Sequence, residues 1–149
     1  MGRRFLLILC VLLITVTTAN VVLAADVEFH VDGPLKEMGL PFSESVRAGD
    51  LLFLSGQVGT GPDGKLVPGG IEAEANQILL NIAAVLEKRG LGLKDVIKCT
   101  VFLADIADWP AFNVIYKKHF IAPYPARSAL GANGLALNAK AEVECIAAY

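Results

Sequence analysis

The sequence predicts an α+β domain: a mixed β-sheet with two helices packed on one face. Three observations carry this. Strand-like runs flank two stretches with helical spacing, in the order strands, helix, strand, helix, strands. Leu51 to Gln57 (LLFLSGQ) is apolar on both sides, as a central strand covered on both faces would be. The final run, Lys140 to Ala148, alternates. Ala141, Val143, Cys145 and Ala147 point one way, and Glu142, Glu144 and Ile146 point the other. The first set suits packing under helices. The second carries carboxylates, so that face must meet water, a partner subunit or a ligand.

The first 24 residues read as an address, ahead of one domain over 25–149. Arg3 and Arg4 precede the apolar run Phe5 to Val16, and Val22-Leu23-Ala24 closes it. That is a charged n-region, an h-region and a small-residue cleavage site, with Ala25 or Asp26 as the expected mature start. The run is shorter than the roughly 20 residues of a membrane span. The expectation is a periplasmic or secreted protein with no membrane attachment after cleavage; the alternative is an uncleaved leader acting as an anchor. Cys10 is no lipidation site, because bulky Leu9 precedes it inside the h-region.

Val27 to Val31 is a short strand, broken by Gly33-Pro34. Ser43 to Arg47 alternates weakly, and Ala48-Gly49-Asp50 turns into the central strand. Pro62-Asp63-Gly64 marks a tight turn. Ile71 to Arg89 is the clearest helix: Ile71, Ala75, Ile78, Ile82 and Val85 form an apolar stripe, widened by Leu79 and Leu86. Glu72 and Glu74 in its first turn, Lys88 and Arg89 in its last, and Gly90 after it all suit the helix dipole and a C-terminal stop. Val96 to Leu103 is a strand rich in β-branched residues. Asp108 is placed to cap a second helix with Pro110 in its first turn, burying Phe112, Ile115, Tyr116 and either His119 or Phe120. Ala122 to Ala126 holds two prolines and is expected to be extended, and Ser128 to Ala132 is the next strand.

Charge excludes some partners. Thirteen basic against 15 acidic residues give −2, and loss of Arg3 and Arg4 with the leader makes it −4. A mildly acidic domain without a basic stripe is a poor nucleic-acid binder. No metal site is expected, since His30, His119, Cys99 and Cys145 show no ligand spacing. Mid-strand among apolar neighbours, Cys99 and Cys145 read as buried free thiols in preference to a disulfide. There is no nucleophile elbow and no phosphate loop. Arg127 remains. It follows the stiff stretch Pro123-Tyr124-Pro125-Ala126 and opens a strand. A rigidly held guanidinium suits a small carboxylate ligand; the alternative is a surface arginine in a loop. Glu142 and Glu144 likewise read either as site residues or as solvated strand positions.

At these residues the sequence resembles a known family. Leu54-Ser55-Gly56-Gln57, Glu74-Ala75-Asn76-Gln77 with Asn81-Ile82, Lys98-Cys99-Thr100-Val101-Phe102, Asn113 with Tyr116, Pro125-Ala126-Arg127-Ser128 and Glu142-Val143-Glu144 stand in one order. Together, over roughly Phe42 to Ala148, they are similar to the RidA (YjgF) family of reactive-intermediate deaminases. The resemblance implies a chorismate-mutase-like fold, a homotrimer with a pocket at each subunit interface, and no cofactor. It implies hydrolysis of 2-imino and 2-enamino acids, such as 2-iminopropanoate and 2-aminoacrylate, to 2-keto acids and ammonia.

Carried over by residue, Arg127 matches the arginine that pairs with the substrate carboxylate, and Glu142 the glutamate that activates water. Ser55 and Gly56 match the strand end beside the pocket, and Asn113 the helix asparagine near it. Phe42 stands where many relatives have tyrosine. Ala129 stands where many have cysteine, so its backbone N–H is the expected contact. These departures, with the loop Gly131 to Ala139, bear on substrate preference. The leader is also a departure, since the best-known members are cytosolic. Two other functions compete: a non-catalytic trimer that binds small carboxylates, and a ribonuclease or translation-inhibitor role, which the acidic balance disfavours.

Overall fold

The computed structural model describes residues 26–32 and 34–149, so the leader expected at 1–24 lies outside them. Its sheet runs β1 (Val27–His30), β2 (Ser45–Ala48), β3 (Leu51–Leu54), β7 (Ala141–Ala148), β5 (Val96–Leu103) and β6 (Ala126–Gly131) in spatial order, and β4 (Gln57–Val58) also pairs with β7. Among the described residues only β5 and β6 pair in parallel, which makes the sheet mixed. A one-turn helix, α1 (Pro34–Glu37), follows β1; the two long helices are α2 (Gly70–Glu87) and α3 (Trp109–His119).

The alternation in β7 does what it promised. Ala141, Val143, Cys145 and Ala147 are buried, whereas Glu144 is exposed and Glu142 and Ile146 lie between these limits. The buried set meets Ile78, Leu79, Ile82 and Leu86 of α2 and Phe112, Ile115 and Tyr116 of α3 in one core. Phe120, not His119, completes the buried side of α3. Among the described residues, α2 and α3 both pack on the first face and neither covers the opposite one. Register aligns Phe29, Val46, Phe53 and Ile146 across it, and Phe29 and Phe53 are 71% and 41% exposed. An apolar row of this kind on a sheet face is a surface to be covered.

Several expectations need correction. The central strand is not continuous. It stops at Leu54 and resumes at Gln57, and the pairing with β7 gains one residue on this side between Phe53↔Ile146 and Gln57↔Val143. Ser55-Gly56 is therefore a bulge, which turns the strand locally. Asp108 stands at the start of α3 with helical dihedrals and makes no side-chain cap; Asp105 caps the preceding 3₁₀ turn instead, accepting from Ala107 N. Lys88 and Arg89 serve more than the helix dipole. Lys88 Nζ donates to Glu44 at 2.7 Å, and Arg89 pairs with Asp32 and Glu44, tying α2 to the β1–β2 region. That contact with Arg89 lowers the Asp32 carboxyl below its usual range. The chain bends at Ala122 and Pro123, so the stretch before Arg127 is not extended throughout.

The cysteines are the largest correction. Cys99 and Cys145 are buried as expected, yet they form a disulfide. They lie directly opposite each other on β5 and β7, with Cα atoms 4.1 Å apart, so both side chains rise on the same face and meet.

Candidate active site

Arg127 is the second residue of β6, an edge strand. It pairs in register with Cys99, which puts its side chain on the helix-covered face. There α3 receives it. Nη2 donates to Asn113 Oδ1 at 2.5 Å, and Cζ sits over the Tyr116 ring, 4.5 Å from its centroid, with the Trp109 ring at 6.0 Å. Positions 109, 113 and 116 recur at helical spacing, so one face of α3 supplies all three contacts. Tyr116 and Trp109 are the residues that sequence reasoning placed in the core or passed over; their spacing around Asn113 was the available signal. Burial pushes the Tyr116 phenol up to about 12, while the Arg127 charge pulls the other way.

Beside this arginine, Asn113, Tyr116, Lys117, Tyr124, Pro125 and Arg127 line a shallow groove of about 200 Å³. Ala129 lies two residues along β6, its side chain against the core. Any ligand contact it makes runs through the backbone.

Glu142 is built differently. It lies on β7 opposite Phe102 and Val58, on the uncovered face of the sheet. Its carboxylate rests beside Gly56: a Cβ added to that glycine would fall 2.0 Å from Glu142 Oε1. The bulge thus leaves the space that Glu142 fills. Ser55 donates its hydroxyl proton to Ser43 O at 2.6 Å and so holds the segment after Phe42, which is itself 48% exposed. Glu144, on the same face, borders a hollow of about 150 Å³ with Phe53, Lys98, Thr100 and Ile146.

The expected residues therefore fall into two groups. Asn113, Arg127 and Ala129 gather at the β6 edge under α3; Gly56 and Glu142 gather on the open face, with Ser55 and Phe42 along the adjoining chain. β5 lies between Arg127 and Glu142, and their side chains leave opposite faces. Two motif residues turn out to be structural. Buried Glu74 accepts from Lys140 N at 2.7 Å, just before β7, and Asn81 donates to the carbonyls of Val58 and Thr60.

Comparison with known proteins gives a consistent result. The family model described as endoribonuclease L-PSP matches residues 36–149. The chain is 44% identical over 108 residues to the chloroplastic Reactive Intermediate Deaminase A of Arabidopsis thaliana, covering 72% of this chain but only 58% of that protein. It is 42% identical over 108 residues to the 2-iminobutanoate/2-iminopropanoate deaminase of Capra hircus, covering 72% of this chain and 79% of the relative. The crystal structure of RidA from an Antarctic Psychrobacter superposes with a TM-score of 0.72 at 30% identity, covering 80% of this chain and 94% of the other. The match over most of the chain, in sequence and in fold, makes this protein a member of the RidA (YjgF) family.

Proposed function

We propose that the chain forms a homotrimer that hydrolyses 2-imino and 2-enamino acids of the 2-iminopropanoate/2-aminoacrylate type to 2-keto acids and ammonia. The observation that carries this reading is the division of the site. One chain offers a carboxylate anchor at its β6 edge and a carboxylate base on its open face, and a second copy brings one to the other. Covering the open face also removes the apolar row from Phe29 to Ile146 from water. The small carboxylate ligand and the interfacial pocket follow from this assembly.

The chemistry is modest in its demands. An imine carbon is already electrophilic, so orientation, a placed water and a proton path suffice. Arg127 holds the substrate carboxylate through its planar fork. Glu142 takes a proton from water as the oxygen bonds to C2, and the C=N pair moves to nitrogen, which is protonated. In the collapse Glu142 relays the hydroxyl proton to nitrogen, C=O forms as C–N breaks, and ammonia leaves. An enamine enters the same route after protonation at C3. No covalent enzyme intermediate is needed, and no cofactor.

Ammonia release from enzymatically generated 2-iminopropanoate tests the reaction. Wild type is expected to accelerate it and Arg127→Ala to lose most of the effect; a trimer that binds pyruvate without accelerating release would be the binding protein instead. Light scattering tests the assembly, and a concentration-independent monomer would remove the shared pocket. We further propose export. The composition of residues 1–24 and a disulfide that suits an oxidising compartment both support it. Mass spectrometry of the native protein should find a start at Ala25 or Asp26, and an intact Met1 on a soluble intracellular form would overturn it.

A further inference from the structure

We infer that Tyr116 is a positioning residue for Arg127: its ring is the shelf on which the guanidinium is set before substrate arrives. The inference rests on the reading of Arg127 as the carboxylate anchor. Arginine is a poor anchor when free, because its long stem samples many rotamers that binding must freeze. Here two groups on α3 have already restricted it. Asn113 Oδ1 takes one N–H of Nη2, and the Tyr116 ring lies under Cζ. A guanidinium seated on a ring face gains cation–π attraction while its in-plane N–H groups stay free for oxygen acceptors.

The shelf is itself fixed. Tyr116 is 4% exposed; Phe120 stacks on it at 4.4 Å and 29°, and Phe112 lies 6.0 Å away. Phe112 and Tyr116 lie one turn apart on α3 and Phe120 is the residue just past its C-terminus, so the stack runs along the end of that helix. The hydroxyl does none of this. Tyr116 Oη is buried and finds no hydrogen-bond partner among the described residues. The aromatic face is therefore the working part of the side chain, and phenylalanine should replace it.

The test compares Tyr116→Phe and Tyr116→Leu in the full-length protein, with Leu52→Ala as a control. Leu52 is a fully buried core residue on β3, three strands from β6. The readouts are kcat and KM for 2-iminopropanoate, Kd for pyruvate, and the NMR order parameter of the Arg127 Nε–H bond. Tyr116→Phe should keep all of them and melt no lower than wild type. Tyr116→Leu should raise KM and the pyruvate Kd about threefold to tenfold, with kcat within about twofold, and loosen the Arg127 N–H. Leu52→Ala should melt lower while KM and the order parameter hold. Wild-type KM and an ordered Arg127 in Tyr116→Leu would overturn the inference, as would Tyr116→Phe failing like Tyr116→Leu. If wild type neither binds pyruvate nor releases ammonia, the deaminase reading falls. The order parameter then decides alone whether Tyr116 positions Arg127.

Discussion

Arg127 and Glu142 are held by opposite means. Arg127 is gripped by its own chain, with an amide oxygen on one N–H and an aromatic ring under its carbon. Glu142 receives no side-chain hydrogen bond among the described residues, and its carboxylate lies in the gap left by Gly56. The difference teaches where each group is completed. On the proposed reading Arg127 is the anchor, and an anchor gains from being ordered before the ligand comes, which a single chain already achieves here. In the proposed trimer the base would meet its water and substrate at a neighbouring subunit, and an open Glu142 in the single chain is what that reading requires.

Removing the open half should have the larger effect. Glu142→Gln keeps the shape and deletes the base, so kcat should fall about a hundredfold or more while the pyruvate Kd moves little. Glu144→Gln is the comparison within the same face and should do much less. If Glu144 proves the more critical, the two-sided description of the site fails.

Removing the gripped half comes next. Arg127→Ala deletes a charge-assisted contact worth about 1.5–3 kcal/mol, so kcat/KM should drop about tenfold to a hundredfold, with the loss visible in pyruvate binding too. Arg127→Lys should not restore it, because a point charge reproduces neither the fork nor the seat on Tyr116. Full imine hydrolysis by Arg127→Ala would put the anchor elsewhere.

Gly56→Ala probes the gap directly. The new Cβ would need the space of Glu142 Oε1, and the carboxylate is the end of a flexible side chain, so it moves and the fold survives. We expect kcat to fall about tenfold, less than in Glu142→Gln, with the melting temperature nearly kept. In a Glu142→Gln background the same change should cost little more, since both act on one group. Additive losses would mean that Gly56 acts by another route.

The two regions also differ in how much of them could be read in advance. Periodicity is local, so Val96 to Leu103, the stripe of α2 and the two faces of β7 were legible from residue spacing alone. Register is not local. Nothing in the chain around Cys99 says that Cys145 stands opposite it, and the free-thiol reading failed for that reason. The same holds for the bulge at Ser55-Gly56. It inserts one residue into an apolar run that reads as a single strand, and it is what gives Glu142 its space. Arg127 and Glu142 could be named from motifs, but their placement on opposite faces depends on β5 lying between β6 and β7. Tyr116 was legible as a buried helix residue. Its contact with Arg127 was not, because β6 reaches α3 only through the tertiary fold.

The smallest expected effect reads the Arg127 side without any substrate. The Tyr116 phenol is pushed up to about 12 by burial, from an ordinary value of 10.0, and the Arg127 charge opposes that rise. A phenol whose folded value is raised stays protonated while the unfolded chain ionises. Stability from this group is therefore full below pH 10 and is lost as pH climbs from there through about 12. Wild type should lose stability over that window, and Tyr116→Phe should lose less. Ultraviolet titration, taken as the difference between wild type and Tyr116→Phe, isolates the phenolate signal. Arg127→Met keeps the stem and removes the charge, so in that background the Tyr116 transition should move further up. A Tyr116 transition that does not respond to Arg127→Met would mean that the guanidinium does not sit on the ring in solution. The contrast between a gripped anchor and an open base would then lose its first term.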